Sequence, residues 1–154
     1  MLAYSSDYTD QIDQIAQLFS ETFAQSEGPA EGTLVGTLAR GLMGKTPAED
    51  IVVVSAFDGD VLAGAIIFSR LRFDNDPRKV FILAPVAVAP SHQGKGVGTS
   101  LLKHGLKVLG TLGVDVVITY GDPNYYSKVG FKQIDPETVR PPFVLSQPEG
   151  WLGQ

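Results

Sequence analysis

Residues 81–109 read FILAPVAVAPSHQGKGVGTSLLKHGLKVL, and this stretch decides the fold. An apolar run that predicts a β-strand ends at Pro90, and a polar loop with Gly94, Gly96 and Gly98 follows. The next apolar residues recur at helical spacing, namely Val97, Leu101, Leu102, Leu106 and Leu109. Glycines let a backbone approach a ligand, and free N–H groups point out of a helix N-terminus, so the stretch predicts a phosphate-type anion site.

Two widespread phosphate loops do not match this sequence. A Walker A loop needs serine or threonine after its lysine, but Lys95 is followed by Gly96. The dinucleotide fingerprint would start at Gly94 and requires glycine where Thr99 stands. Residues 58–60, Asp-Gly-Asp, also predict a hairpin and an antiparallel sheet, whereas dinucleotide folds join parallel strands through helices.

A third pattern fits. Residues 93–98, QGKGVG, match Q/R-x-x-G-x-G/A, so the chain resembles the GNAT superfamily of N-acetyltransferases, which carries this pyrophosphate loop between a central strand and a long helix. Residues 125–131, YYSKVGF, resemble the family's Y-x-x-x-G-F signature. The resemblance extends over roughly residues 1–135. It implies an α/β (α+β) fold with a mixed, mostly antiparallel central sheet of six to seven strands, helices on both faces and a splayed fourth and fifth strand.

Composition bounds the class of protein. The 154 residues predict one GNAT-like domain over residues 1–154, and 44% hydrophobic with 19% charged residues is typical of soluble globular proteins. The first twenty residues carry no basic side chain, so we expect no secretory signal and a cytoplasmic protein without a membrane span. The absence of cysteine excludes a cysteinyl intermediate, and net charge −5 without a basic cluster argues against nucleic acid.

Two helices are predicted before the first hairpin. Ile12, Ile15, Ala16, Phe19 and Phe23 form the stripe of the first. The chain breaks over residues 26–32, and then Leu34 or Val35, Leu38 and Leu42 mark a second helix that ends near Gly44. The family resemblance places the loop around Glu27 over the acceptor pocket.

Pro85 interrupts the predicted strand 80–88. A proline cannot donate to a ladder, so in a central strand it predicts a bulge or a neighbour that has drawn away. The resemblance implies the same for the fourth strand, which splays from the fifth and pairs its freed backbone with the pantetheine arm of acetyl-CoA. Here those residues are Val86, Ala87 and Val88.

The resemblance also implies acetyl-CoA as acyl donor. Its pyrophosphate is expected over the N–H groups of the loop and first helical turn, with each helix-dipole contact contributing roughly 0.3–1 kcal/mol. Gln93 and Lys95 add side-chain or rim contacts, although Lys95 is equally well explained as a solvated loop lysine. The predicted donor-binding residues of the loop and turn are Gln93, Gly94, Lys95, Gly96, Val97, Gly98 and Thr99.

After a fifth strand over residues 114–118, Asp122 and Pro123 predict a short helix that Gly130 closes. Residues 131–134 return as a strand. The proline-rich tail predicts at most one further strand, around Phe143, Val144 and Leu145, and Trp151 is expected to dock on the domain or on a partner chain.

Tyr126 is the predicted catalytic residue. It stands five residues before Phe131, where the family places the tyrosine that protonates the departing thiolate. With a thiol pKa near 8.5 and a phenol pKa near 10, full proton transfer is uphill by roughly 2 kcal/mol, so hydrogen bonding to the thiolate is a sufficient role. The alternative is a core tyrosine with a carbonyl partner. Tyr125 is interpreted as a packing residue.

The general base is not evident, since no acidic residue lies between Lys79 and Val88, where many relatives carry one. Deprotonating a lysine-like amine at pH 7 costs roughly 4.6 kcal/mol, against about 1–1.4 kcal/mol for an α-amino group. Either the acceptor has a low pKa, or Glu27 or Asp122 acts through water. His92 and His104 show no metal-ligand pattern and are interpreted as surface residues, so no metal is predicted.

The predicted function is therefore acetyl-CoA-dependent N-acetylation of a primary amine on a small molecule or peptide. The alternative is a non-catalytic acyl-CoA-binding or sensory module of the same fold, since fold does not determine function. The acceptor and the length of the acyl group stay open, and a homodimer is compatible with the resemblance.

Overall fold

The computed structural model describes residues 2–74, 76–137, 139, 141, 145 and 147–154. These residues include four α-helices: α1 (Ile12–Glu27), α2 (Pro29–Lys45), α3 (Val97–Thr111) and α4 (Pro123–Tyr126). Seven strands form the sheet: β1 (Leu2–Ser5), β2 (Ile51–Asp58), β3 (Val61–Leu71), β4 (Val80–Val88), β5 (Val116–Tyr120), β6 (Lys132–Gln133) and β7 (Trp151–Gly153).

The strands form one sheet in the order β1-β2-β3-β4-β5-β7-β6. Only β4 and β5 pair in parallel among the described strands, and every other pair is antiparallel. The predicted mixed, mostly antiparallel sheet of six to seven strands is confirmed. The hairpin turn between β2 and β3 falls at Gly59, whose φ of +62° suits glycine.

Helices cover both faces of the sheet. The stripe of α1 packs with residues of α2 against Val53 and Ile67 on one face. Leu101, Leu102 and Leu109 of α3 pack against residues such as Ile66 and Phe68 on the other. A Cβ at Gly105 would lie 2.7 Å from the Phe68 ring, so glycine at this position lets α3 lie close to the sheet.

The predicted bulge in β4 lies at Pro85. Ile66 pairs with Val86 and Phe68 pairs with Leu83, so a single residue of β3 stands opposite Ala84 and Pro85. On its other edge β4 pairs with β5 only from Val80 to Leu83. The predicted separation of the fourth and fifth strands is therefore present, and in the described chain no strand covers the outer edge of β4 beyond Leu83.

Backbone alternation decides which groups face this opening. The N–H of Ala89 donates to the carbonyl of Ala63 at 2.8 Å, so it points to β3. Because N–H and C=O of one residue point the same way in an antiparallel strand, the groups of Ala87 also face β3. Those of Val86 and Val88 face the opening. Of the three residues predicted to pair with pantetheine, Val86 and Val88 thus turn their backbone groups to the opening, and Ala87 turns its groups to β3.

The region before the hairpin departs from prediction in two details. Only Gly28, at φ +103°, separates α1 from α2, so the expected loop around Glu27 is a one-residue break between two helices. In α2 the buried residues are Gly32, Val35, Gly36, Ala39 and Met43. Of the residues that marked this helix in the sequence, Val35 is buried, whereas Leu34 and Leu38 are 62% and 49% exposed.

The last strand also differs. Strand β6 covers only residues 132–133, and β7 inserts between β5 and β6 with Trp151 fully buried. Trp151 thus docks within the chain and its indole N–H donates to the Val139 carbonyl at 2.9 Å. Phe143 and Val144, where a tail strand was expected, lie outside the described residues. Among the described helices, none combines the length and the apolar character needed to cross a bilayer.

Candidate active site

The glycine loop presents uncapped N–H groups at the start of α3. Gly94 and Gly96 have φ of +75° and +79°, which other residues rarely adopt, and Gly96 is the N-cap. The first helical hydrogen bond runs from the Ser100 N–H to the Gly96 carbonyl at 3.0 Å. With no side-chain cap in the described structure, the N–H groups of residues 97–99 are available to an anion.

A cavity of about 390 Å³ lies directly against this loop. Its wall contains Gly94, Gly96, Val97, Gly98 and Thr99 from the loop and the first turn of α3, together with Val88, His92 and Gln93. Tyr125 and Lys128 from the segment after β5 complete the described lining. Lys95 is not among the described lining residues. Most of the predicted donor-binding residues therefore share one cavity.

Side chains fix the loop to the sheet. The amide Nε2 of Gln93 donates to the Val88 carbonyl at 3.0 Å, which holds the loop against the free edge of β4. His92 Nε2 lies 3.0 Å from Asp58 Oδ2, and its Nδ1 lies 2.8 Å from Ser91 Oγ. The hydrogen bond from His92 lowers the pKa of Asp58. His92, interpreted from sequence as a surface residue, is thus a partly buried link between the loop and the β2–β3 hairpin.

Tyr126 lies beside the point where β4 and β5 separate. Its hydroxyl makes a hydrogen-bonding contact with Thr119, whose own Oγ1 donates to the Leu83 carbonyl at 2.9 Å. Leu83 and Thr119 are the last paired residues of the two strands. Burial, reinforced by Tyr125, raises the pKa of Tyr126 to about 12. The phenol is therefore neutral near pH 7 and lies next to the last paired residues of β4 and β5.

Local sequence explains this placement. Asp122 accepts a hydrogen bond from the Asn124 N–H at 2.9 Å and Pro123 begins α4, while Gly130 at φ +97° ends the turn that follows. The Tyr126 ring then packs edge-on against Phe131 at 5.7 Å. The predicted cap, proline and glycine all act as expected. Thr119 was missed, because a single threonine inside a strand gives no sequence signal.

Tyr125 packs against the edge of the core under α3 and also faces the loop. Its hydroxyl contacts Thr99, and a Cβ at Gly98 would collide with that hydroxyl. Burial raises the pKa of Tyr125. The Lys128 Nζ lies 5.9 Å from the centre of the Tyr125 ring, within cation–π range. The interpretation of Tyr125 as a packing residue is confirmed, but its place in the cavity lining was not predicted, and Lys128 was given no role although it also lines the cavity.

The two candidate bases differ in surroundings. Glu27 is exposed at the end of α1 and lines none of the described cavities. Asp122 caps α4 and lines a polar cavity of about 430 Å³ at the end of β5, together with Tyr120, Gln147 and Glu149. Glu149 is a carboxylate that the sequence did not single out. Gly121 separates this cavity from Tyr126, since a Cβ there would lie 2.6 Å from the Tyr126 ring.

A larger cavity of about 620 Å³ lies where β4 and β5 begin, and includes Val80 and Val116. Its floor is apolar and its rim carries charges of both signs, among them Arg72 and Asp74. The opening between the strands is at the other end of β4. The glycine loop, Tyr125 and Tyr126 do not line this cavity, and it contributes nothing to the site described above.

A splayed parallel strand pair with a glycine loop at a helix N-terminus is the arrangement expected of acyltransferases that use coenzyme A. A family model for the acetyltransferase (GNAT) domain matches residues 5–134, and the chain belongs to this family. It is 35% identical over 82 residues to the uncharacterized N-acetyltransferase YjhQ of Escherichia coli, covering 52% of this chain and 45% of that protein. It is 31% identical over 80 residues to the uncharacterized N-acetyltransferase YhbS of the same organism, covering 52% of this chain and 48% of that protein. The chain spans about half the length of these curated relatives.

Solved structures share the fold. A GNAT family acetyltransferase from Brucella melitensis in complex with acetyl-CoA superposes with a TM-score of 0.71 at 24% identity, covering 100% of this chain and 96% of that one. YhbS from Escherichia coli in complex with CoA superposes with a TM-score of 0.76 at 23% identity, covering 99% of this chain and 79% of that one. At these identities the likeness establishes the common architecture.

Proposed function

We propose that this protein is an acetyl-CoA-dependent N-acetyltransferase that transfers an acetyl group directly to a primary amine. The observation that carries the proposal is the pairing of two features at one place. Uncapped N–H groups of residues 97–99 line a cavity, and the free edge of β4 begins beside it. Two relatives of the same fold were crystallised with acetyl-CoA or CoA, which supports the same donor here.

The residues fit each part of such a donor. A diphosphate matches the helix N-terminus, where each contact contributes roughly 0.3–1 kcal/mol. The outward backbone groups of Val86 and Val88 suit an amide chain, because a freed strand edge needs hydrogen-bond partners. The Val88 carbonyl already accepts a hydrogen bond from Gln93, so a ligand amide would use its second lone pair or displace the Gln93 amide.

The chemistry then divides between the two substrates. The neutral amine attacks the thioester carbonyl carbon, the C–N bond forms as the C–S bond breaks, and the sulfur leaves as a thiolate. With the Tyr126 pKa at about 12, protonating a thiolate of pKa near 8.5 is uphill by about 5 kcal/mol. Tyr126 therefore stabilises the developing charge by a hydrogen bond, and the thiolate takes its proton from solvent. The amine loses its proton to water or to a carboxylate.

Ligand-dependent stability gives the first prediction. At a hundredfold excess over Kd, CoA should stabilise the fold by about 2.7 kcal/mol, which raises Tm by about 5–10 °C for a chain of this size. NAD and ATP, the ligands of the excluded phosphate loops, serve as controls and should not raise Tm. Differential scanning fluorimetry measures this. Equal stabilisation by ATP, or none by CoA, would contradict the proposal.

Turnover separates an enzyme from a binding module of the same fold. Thiol release from acetyl-CoA is measured over a panel of α-amino, lysine-like, polyamine and aminoglycoside acceptors. Amine-dependent release supports the enzyme. CoA binding without release for any amine favours the non-catalytic alternative.

The pH profile is the second prediction. Because burial raises the Tyr126 pKa to about 12, the phenol keeps its proton over the working range and gives kcat/KM no alkaline limb below about pH 10. Wild type and Tyr126→Phe should therefore share the shape of the profile up to that pH. An alkaline limb at about pH 8–9 that Tyr126→Phe removes would contradict the assignment.

The acidic limb of the same pH profile tests which group accepts the proton of the amine. It should report deprotonation of the amine or its base, and Asp122→Asn or Glu27→Gln would remove it if either carboxylate acts. Asparagine is also a good N-cap, so Asp122→Asn tests the charge with α4 retained. Glu149→Gln completes the set, because it shares the polar cavity with Asp122. A limb unchanged in all three variants leaves water and a low-pKa amine.

A further inference from the structure

The donor cavity has two walls of different chemistry. One is the backbone wall of residues 94–99, which offers N–H groups. The other is formed by Tyr125 and Lys128 from the segment after β5. The two walls touch where the Tyr125 hydroxyl contacts Thr99 and closes over Gly98. An anion held by the first turn of α3 is therefore bordered on one side by this phenol.

The charges of the cavity single out Lys128. The N–H groups of a helix N-terminus supply partial charge only, whereas a diphosphate carries full negative charges. His92 also lines the cavity, but both of its ring nitrogens are engaged, with Asp58 and with Ser91. Lys128 is the only lysine or arginine among the described lining residues, and it forms no ion pair with a described residue.

We propose that Tyr125 and Lys128 form a side-chain half of the donor site, which binds the diphosphate opposite the N–H groups of α3. This inference rests on the proposed function and deepens it. The aromatic ring holds the Lys128 ammonium at the cavity by a cation–π contact of 5.9 Å. The Tyr125 hydroxyl donates to a phosphate oxygen beside the Thr99 N–H. Tyr125 and Lys128 thereby act as specificity residues for a phosphorylated donor.

The test compares three ligands that differ in phosphate content. CoA carries a diphosphate and a 3′-phosphate, 3′-dephospho-CoA carries only the diphosphate, and pantetheine carries none. Lys128→Gln should raise Kd for CoA and for 3′-dephospho-CoA alike by about tenfold, as for loss of a charge-assisted hydrogen bond, and leave pantetheine unchanged. The difference should shrink at high ionic strength. Isothermal titration calorimetry measures all three.

Matched variants keep the result specific. Lys132→Gln removes the same charge four residues on, from exposed β6 outside the described lining, and should leave each Kd at the wild-type value. Tyr125→Phe keeps the ring under Lys128 and should raise Kd for both phosphorylated ligands by about tenfold, since it deletes one hydrogen bond to an ionised phosphate.

The outcomes separate the two proposals. If wild type binds CoA but Lys128→Gln behaves like Lys132→Gln, the side-chain half is refuted while the proposed function stands. A loss confined to CoA would place Lys128 at the 3′-phosphate and overturn the diphosphate assignment. If wild type binds none of the three ligands, both proposals fail together.

Discussion

Replacing Tyr126 with phenylalanine is expected to lower kcat by about 10²–10³-fold, the usual cost of removing one preorganised donor at a developing anion. The phenol sits where β4 and β5 separate, beside Thr119, so its hydroxyl is well placed to donate at the end of their pairing. KM for acetyl-CoA should change little, because the proposed nucleotide contacts lie on the loop. Steady-state thiol release at saturating amine measures both constants.

A folding defect must be excluded as the cause of a lower kcat in Tyr126→Phe. Phenylalanine keeps the edge-on packing against Phe131, so Tm should stay within a few degrees of wild type. Tyr8→Phe makes the same chemical change in the cluster under α1, on the opposite face from α3, and should leave kcat unaltered. A Tyr126→Phe variant that retains full kcat would show that this tyrosine is the core residue of the alternative interpretation.

Adding a methyl group at Gly98 should weaken donor binding without unfolding the protein. A Cβ there would collide with the Tyr125 hydroxyl and lie 3.3 Å from the Val88 side chain, so it fills space between the two walls of the cavity. Overpacking of this kind costs about 1–3 kcal/mol, which corresponds to about a 5- to 150-fold rise in the Kd for CoA. Calorimetric titration of Gly98→Ala with CoA checks this.

A second glycine-to-alanine substitution in α3 serves as the control for this variant. Alanine is better than glycine inside a helix by about 1 kcal/mol, which offsets part of the overpacking cost, so Gly98→Ala should lose at most about 2 kcal/mol of stability and stay folded. Gly110 lies in the same helix, and a Cβ added there would meet no described atom within 4 Å, so Gly110→Ala should bind CoA like wild type. Equal affinity of both variants would mean that the donor does not approach the start of α3.

Local rules predicted most of what forms the site. The bulge in β4 could be predicted from Pro85 alone, because a proline has no N–H to donate to a neighbouring strand. The short helix α4 could be predicted from its capping residues Asp122, Pro123 and Gly130. Local rules could not predict that Tyr125 and Lys128 line the cavity. Their proposed roles depend on how closely the turn after β5 approaches α3, which is a distance between segments that are far apart in the sequence.

The buried face of α2 could not be predicted from its leucines for a related reason. A leucine pattern marks the buried side of a helix only when large side chains fill the interface with its neighbour. Here glycines form that interface, so the backbones of α1 and α2 come close together. A Cβ at Gly36 would lie 2.8 Å from the Ser20 side chain, and one at Gly32 would overlap the backbone of α1. The two helices approach through this glycine edge, which rotates Leu34 and Leu38 outward.

The insertion of β7 has a consequence for how the chain matures on a ribosome. The Gln154 backbone exchanges two hydrogen bonds of 2.9 Å with Val117, and its side-chain amide reaches the Val129 carbonyl at 2.8 Å, in the turn that follows Tyr126. Residues 151–154 are translated after the glycine loop and after both tyrosines. The turn that follows Tyr126 can therefore be anchored in this way only after these four residues have emerged.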